Sequence, residues 1–194
     1  MNVKDIKRFT SCGNYCVNMT MKQLVNTIKR DEKEHGLIMN PDFQREHVWT
    51  EEQQIAYIEY FLRGGQSGRD LCFNNPDWYG QNSGDYHDYV CVDGLQRITA
   101  VQRFMNNEIP AFGYFMKDFE DDFAFTLDVT NYCFNFHVND LKEKEEVLTW
   151  YIEMNEGGVP HTKAEIDKVK KMLENLKSES YKEQIPDEND VVLE

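Results

Sequence analysis

A carboxylate, a glycine, an amide and a guanidinium fall within five residues of this chain, at Asp93, Gly94, Gln96 and Arg97. The apolar run Tyr89-Val-Cys-Val92 leads into them, and apolar residues then recur at Leu95, Ile98, Val101, Phe104 and Met105. That pattern predicts a buried strand opening directly into a helix, which Asn106-Asn107 closes. The first backbone N–H groups of such a helix lack intrahelical partners and sit at the positive end of its dipole, which makes an anion site. Gly94 lets a ligand approach the backbone closely. Arg97 brings a planar donor fork that matches phosphate oxygens. Asp93 repels a neighbouring phosphate unless a divalent cation lies between them, as Mg²⁺ commonly does. Gln96 suits a phosphate, a base or an attacking water. A plainer arrangement uses the same residues, with Asp93 capping the helix and Arg97 in a surface ion pair. Spacing alone leaves both open.

A second group is Pro41-Asp-Phe-Gln-Arg-Glu-His-Val-Trp49, which lies between helical patterns. Connecting loops on a rigid scaffold often carry binding groups. Arg45 suits a phosphate, and Phe43 or Trp49 a base. The plainer arrangement, in which Phe43, Val48 and Trp49 anchor the loop to the core and leave Gln44 and Arg45 solvated, is preferred for the aromatics but not for Arg45. A third is Met154-Asn-Glu-Gly-Gly-Val-Pro160, which a helix C-cap explains by itself. The histidines at 35, 47, 87, 137 and 161 show neither i,i+4 pairing nor HExxH spacing, so zinc is not expected. No nucleophile turn marks Ser-His-Asp or Cys-His chemistry.

The elements that must position these groups carry clear start signals. Thr20-Met-Lys-Gln23, Thr50-Glu-Glu-Gln53 and Thr162-Lys-Ala-Glu165 each have the spacing of a capping box, in which two orphan N–H groups are satisfied reciprocally. Apolar faces follow at Met21, Leu24, Val25 and Ile28, and at Ile55, Tyr57, Ile58, Phe61 and Leu62, before a glycine stop at Gly64-Gly65. Further helices are expected over 141–155 and 163–176. Strands are expected over 89–92, 109–114 and within 123–138, where Phe134, Phe136 and Val138 alternate, with turns over 117–122. Phe73 and the Asn-, Gly- and Asp-rich stretch 74–88 read as an exposed loop or insertion. These elements give an N-terminal segment (1–19), a core (20–140), a helical extension (141–177) and an acidic tail (178–194) expected to be mobile.

A chain of 194 residues with 40% hydrophobic content can bury a genuine core. Its net charge of -14 opposes indiscriminate binding of nucleic acid, which needs a basic footprint. Small nucleotides with a metal counter-ion, or a basic protein partner, fit that charge better. No apolar run reaches eighteen residues, so no membrane span is expected. The N-terminus lacks the apolar region of a secretory signal. Five scattered cysteines, at 12, 16, 72, 91 and 133 and without CxxC spacing, read as reduced thiols of a cytoplasmic protein.

Three segments in order carry a resemblance: Pro41-Asp-Phe-Gln-Arg with Val48-Trp49, then Asp93-Gly-Leu-Gln-Arg with Thr99, then Asn155-Glu-Gly-Gly-Val-Pro160 followed by Glu165. Over roughly residues 20 to 175 the chain resembles the N-terminal domain of the GmrSD-type modification-dependent restriction endonucleases. The resemblance implies an α+β, ParB/sulfiredoxin-like core, a small mixed sheet with packed helices, plus a C-terminal helical extension. It also implies nucleotide binding and hydrolysis, in systems that sense modified DNA. Asp93, Gly94, Gln96 and Arg97 match the family's Asp-Gly-Gln-Gln-Arg motif, and Gln44 and Arg45 match its upstream Phe-Gln-Arg. Leu95 departs, standing where the family usually has the first Gln of that motif. The segment 63–69 also departs, with Gly-Gly-Gln-Ser-Gly in place of a Pro-containing strand.

The expected activity is Mg²⁺-dependent hydrolysis or phosphoryl transfer of a nucleoside triphosphate. Asp93, Gln96 and Arg97 would be catalytic; Gly94, Arg97, Gln44, Arg45 and Thr99 would hold the nucleotide; Asp93 would hold the metal. Two alternatives stand beside it. One is a catalytically weak binding module that acts on a host defence complex as inhibitor or decoy, since no HNH-like cluster follows the core. The other is a DNA-modification sensor or DNA-directed enzyme, which would need a local basic cleft from Arg45, Arg63, Arg69, Arg97 and Arg103.

Overall fold

The computed structural model describes residues 2, 6, 15–44, 48–78, 80, 82–119, 132–156 and 163–183. Thr20 opens α1 (Met21–Glu34) with a complete capping box, and Thr50 does the same for α2 (Glu51–Leu62). The apolar stripe of α1 buries Met21, Leu24, Val25 and Ile28, and that of α2 buries Ile58 and Phe61. Gly64 follows α2 at φ 83°, the left-handed stop its position predicts. Thr162, of the third capping box, lies outside the described residues.

Four strands make one mixed sheet: β1 (Tyr15–Met19), β2 (Asp70–Asn74), β3 (Val90–Asp93) and β4 (Phe134–Asn139), in the order β1-β4-β2-β3. β1 runs antiparallel to β4 and β3 antiparallel to β2, while β2 and β4 are parallel. With α1, α2, α3 (Leu95–Met105), α4 (Lys144–Glu156) and α5 (Lys163–Glu183), the described residues form an α+β fold. Alternation sorts the sheet into two faces. Leu71, Phe73, Phe134, Phe136 and Val138 are buried in the hydrophobic core with Ile28, Ile58, Phe61, Ile98 and Phe104. Phe73 stacks on Phe136 and Phe61 on Phe134, both with ring centroids 4.4 Å apart. Asp70, Cys72, Asn135 and His137 occupy the intervening positions and are exposed or half-buried.

Several expectations are corrected. Phe73 is fully buried on β2, not in an exposed loop. Its strand is short, and a polar stretch follows at once, so the local window hides it. Asn74 is buried too, its amide exchanging hydrogen bonds with the Leu141 backbone at 2.9 and 3.1 Å. Residues 109–114 form no strand. Ala111 and Tyr114 make one isolated bridge around Phe112 (φ 52°) and Gly113 (φ 82°), a tight turn whose Phe112 N–H donates to Glu59 Oε1 at 2.8 Å. A single 3-10 turn, Met116–Asp118, follows. Strand β1 falls within what reads as an N-terminal segment. Helix α5 runs on to Glu183, past the expected start of the tail at Ser178. The expected strand residues 123–131 lie outside the described residues.

The chain divides into two compact units, Met1–Lys142 and Glu143–Glu194. The first holds the sheet and α1 to α3; the second holds α4 and α5, with Lys177 Nζ 3.6 Å from Glu145 Oε1. Within the described residues no helix is long and apolar enough to cross a membrane.

Candidate functional site

The predicted strand-to-helix turn is present: β3 ends at Asp93, Gly94 intervenes and α3 begins at Leu95. A β-bulge shifts the register so that Asp93, not Val92, pairs with Cys72. Bulges of this kind re-aim side chains and are frequent beside functional sites. Gly94 has φ 128° and ψ -6°, and a Cβ there would sit 2.8 Å from Leu71 Cδ2. Backbone conformation and packing both demand glycine at this point.

No side chain caps α3. Asp93 therefore does not cap the helix; its Oδ2 accepts from Arg97 Nη2 at 2.6 Å. The same Nη2 donates to the Asp70 carbonyl at 3.0 Å. The pair is not a surface ornament, because the Arg97 side chain is only 20% exposed against 43% for Asp93. Burial works against the charged guanidinium, but the charge and hydrogen bond of Asp93 outweigh it and raise its pKa. Arg97 Nε is buried with no hydrogen-bond partner among the described residues. Its stem passes Gly68, where a Cβ would lie 3.5 Å from Arg97 Cδ. Tyr57 meets the same position, its Cε2 3.3 Å from such a Cβ, its hydroxyl donating to Gly68 O at 2.7 Å and its pKa raised by burial.

Gln96 ties two of the predicted segments together. Its Oε1 accepts from the backbone N–H groups of Val48 and Trp49, at 3.0 and 3.1 Å. Gln44 adds a second tie, Nε2 donating to Val92 O at 3.3 Å, while its Oε1 is buried and unpartnered among the described residues. Phe43 is buried and Trp49 packs on Tyr57 with centroids 5.3 Å apart, so both anchor the loop as expected. Val48 does not, at 53% exposed. Thr99 turns inward on its own helix, its Oγ1 donating to Leu95 O at 2.8 Å. Arg45 lies outside the described residues. Asn155 lies in the last turn of α4 in the second unit, its Nδ2 donating to Tyr151 O at 2.7 Å, and 157–160 are likewise undescribed.

The remaining arginines are spent on separate partners. Arg69 is 8% exposed, donates to Gly65 O at 2.6 Å and stands over the Phe61 ring. Arg103 pairs with Glu51 at 2.7 Å and Glu108 at 3.4 Å, and Arg63 stands over Phe112.

Sequence reasoning missed the polar face of the sheet. Asp70 Oδ1 accepts from Asn135 Nδ2 at 2.8 Å and is 3.0 Å from His137 Nε2. The Asn135 hydrogen bond and then His137 hold the Asp70 carboxyl below the usual carboxylate range. Only the alternation of Phe134, Phe136 and Val138 signals that Asn135 and His137 turn the other way.

Among the described residues no group of three or more His, Cys, Asp or Glu is gathered to hold a metal. Asp93 offers one partly exposed carboxylate, which suits Mg²⁺ held chiefly by phosphate and water.

Residues 21–132 match the family described as GmrSD restriction endonuclease, N-terminal domain. That span includes both the Pro41–Trp49 loop and the Asp93–Arg97 turn. No curated protein and no solved structure matches the chain. With more than half of its residues inside the match, the chain belongs to the family of GmrSD restriction endonuclease N-terminal domains.

Proposed function

We propose that this domain binds a nucleoside triphosphate with Mg²⁺ at the β3–α3 turn and hydrolyses it, in a role tied to restriction of DNA. The observation that carries the reading is a mostly buried Arg97 beside an uncapped helix N-terminus, with one donor atom still unpartnered. Backbone N–H groups at Leu95 and Gln96 meet phosphate oxygens, and Gly94 supplies the positive-φ backbone that turns β3 directly into α3. Arg97 neutralises phosphate charge, and Asp93 would hold the Mg²⁺. Bound Mg²⁺ would supply charge neutralisation and orientation, the main needs of phosphoryl transfer. Hydrogen bonds tie Gln44 and the Val48–Trp49 backbone to the turn, and the family resemblance supports Arg45 as a further phosphate-binding residue. The family resemblance supports a ParB/sulfiredoxin-like core for this arrangement.

One observation favours a second reading, binding without turnover. Leu95 cannot orient a water, and Gln96 Oε1 is committed to two loop N–H groups. Under that reading the domain acts as a binding module on a defence complex. Titrating ATP, GTP, CTP and UTP with Mg²⁺ into wild type and Arg97→Ala tests both. Saturable binding lost in Arg97→Ala is expected; phosphate release separates the first reading from the second. Absence of binding by wild type to all four nucleotides sinks the proposal.

A further inference from the structure

The polar face of the sheet adjoins the Asp93–Arg97 turn in a single row. Cys16 on β1 pairs with His137 on β4, His137 with Cys72 on β2, and Cys72 with Asp93 on β3. Along the same face, the Asp70 carboxylate is held by Asn135 and His137 from β4. The Asp70 carbonyl in turn accepts from Arg97 Nη2, the atom that holds Asp93. Asp70 thus joins two networks, its side chain fixed by β4 and its backbone fixing the guanidinium. His137 lies beyond residues 21–132, so the family match says nothing of it.

We propose that His137 is a positioning residue for Arg97, acting through Asp70, and that its protonation strengthens phosphate binding at the turn. The inference rests on the nucleotide reading above. Facing His137 are Cys16 from β1 and Asp70 and Cys72 from β2, with Asp93 on β3 and Arg97 on α3 beyond them. Both thiols stay neutral at ordinary pH: burial and Asp70 raise that of Cys16, and burial pushes that of Cys72 up to about 12. Among these named groups, two carboxylates and one guanidinium sum to a negative charge while the imidazole is neutral. Histidine is the side chain whose charge changes between pH 5 and 8, and a protonated His137 brings the cluster to balance. An incoming phosphate is then repelled less, and Asp70 is held harder in the place that orients Arg97.

The test is MgATP titration of the full chain between pH 5.5 and 8, for wild type, His137→Gln and Arg97→Ala. Gln keeps a donor near the position of Nε2 but does not titrate. Wild type should gain about two- to fivefold in affinity over His137→Gln as pH falls, the range a part-exposed ion pair supplies, with the two alike at pH 8. Titration of ATP itself is common to both proteins and cancels. By reciprocity, the wild-type imidazole should hold its proton more tightly when MgATP saturates the site, a change followed by NMR. Parallel pH profiles with no NMR change overturn the inference, and if His137→Gln does not fold, the wild-type NMR titration alone decides. Binding abolished in Arg97→Ala, with a pH profile unaltered in His137→Gln, removes this inference and leaves the nucleotide reading standing. No MgATP binding by wild type at any pH removes both.

Discussion

Gly94→Ala should be the most damaging single-methyl change at the turn, because two separate penalties meet there. The backbone at φ 128° and ψ -6° belongs to a region that L side chains rarely adopt. Holding alanine there costs about 1–3 kcal/mol. The new Cβ would also lie 2.8 Å from Leu71 Cδ2, and Leu71 is fully buried, so the leucine has little room to give. Overpacking of that kind costs about 1–3 kcal/mol. Alanine restricts the unfolded chain and returns about 0.4–1 kcal/mol. The expected net loss is about 1–5.5 kcal/mol, a large part of the ~5–15 kcal/mol that stabilises an ordinary domain. Denaturant unfolding followed by tryptophan fluorescence reads it directly. Leu71→Ala removes the clashing atom, so it should cost less in the Gly94→Ala background than in wild type. A coupling of about 1–2 kcal/mol is expected in the double-mutant cycle. A Gly94→Ala loss under about 1 kcal/mol would refute both penalties, and a cycle with no coupling would refute the steric one.

Gln96→Ala removes the acceptor shared by Val48 and Trp49. It should cost about 1–2 kcal/mol and speed hydrogen exchange at those two amides ahead of the α3 interior. Tyr89→Phe deletes a buried hydroxyl that donates to Asp31 Oδ2 at 3.1 Å, and should cost about 1.5–3 kcal/mol in thermal or denaturant unfolding. Asp70 has a depressed pKa, so its contribution is present above the unfolded-state value of about 3.9 and disappears as pH falls through the folded one. Wild type and Asp70→Asn should therefore differ in unfolding midpoint at about pH 6 and converge as pH falls through the depressed folded-state value. Among the described cysteines, an alkylating reagent at pH 8 should modify exposed Cys16 before Cys72 and the fully buried Cys91, as peptide mass mapping would show.

How much of the fold was legible followed how local each signal was. The capping boxes at Thr20 and Thr50 declare helices within four residues, and both helices start where those boxes stand. The run 89–92 and the periodicity after Gly94 likewise need no distant partner to be recognised. Strands β1 and β2 are another matter. Each is five residues long, and each takes its meaning from β4, which lies more than sixty residues further along the chain. The burial of Phe73 depends on its stacking partner Phe136, and the polar run Asn74-Asn75-Pro76-Asp77 directly after it masks the short strand signal of Leu71-Cys72-Phe73. Residues 109–114 fail in the opposite sense. Their apolar character is real, since Ile109 and Ala111 are fully buried, but the left-handed pair Phe112-Gly113 turns the chain before a ladder can form.

The site divides along the same line, and the division bears on what the motif residues are for. Asp-Gly-Leu-Gln-Arg is legible as a turn because its physics is local: a strand end, a residue without Cβ and a helix start. What each side chain does there is not local. Whether Asp93 caps α3 or binds Arg97 is decided by the bulge opposite Cys72 and by the Asp70 carbonyl, which fixes the guanidinium from the neighbouring strand. Whether Gln96 meets a ligand or the protein is decided by Val48 and Trp49, nearly fifty residues away. A glutamine whose oxygen clamps a loop contributes by placing that loop, so its loss should lower affinity by loosening Pro41–Trp49 and leave the charge at the turn intact. Arg97→Ala removes charge and leaves the loop clamped. Salt dependence separates the two, because only loss of the guanidinium should flatten the decline of phosphate affinity with ionic strength.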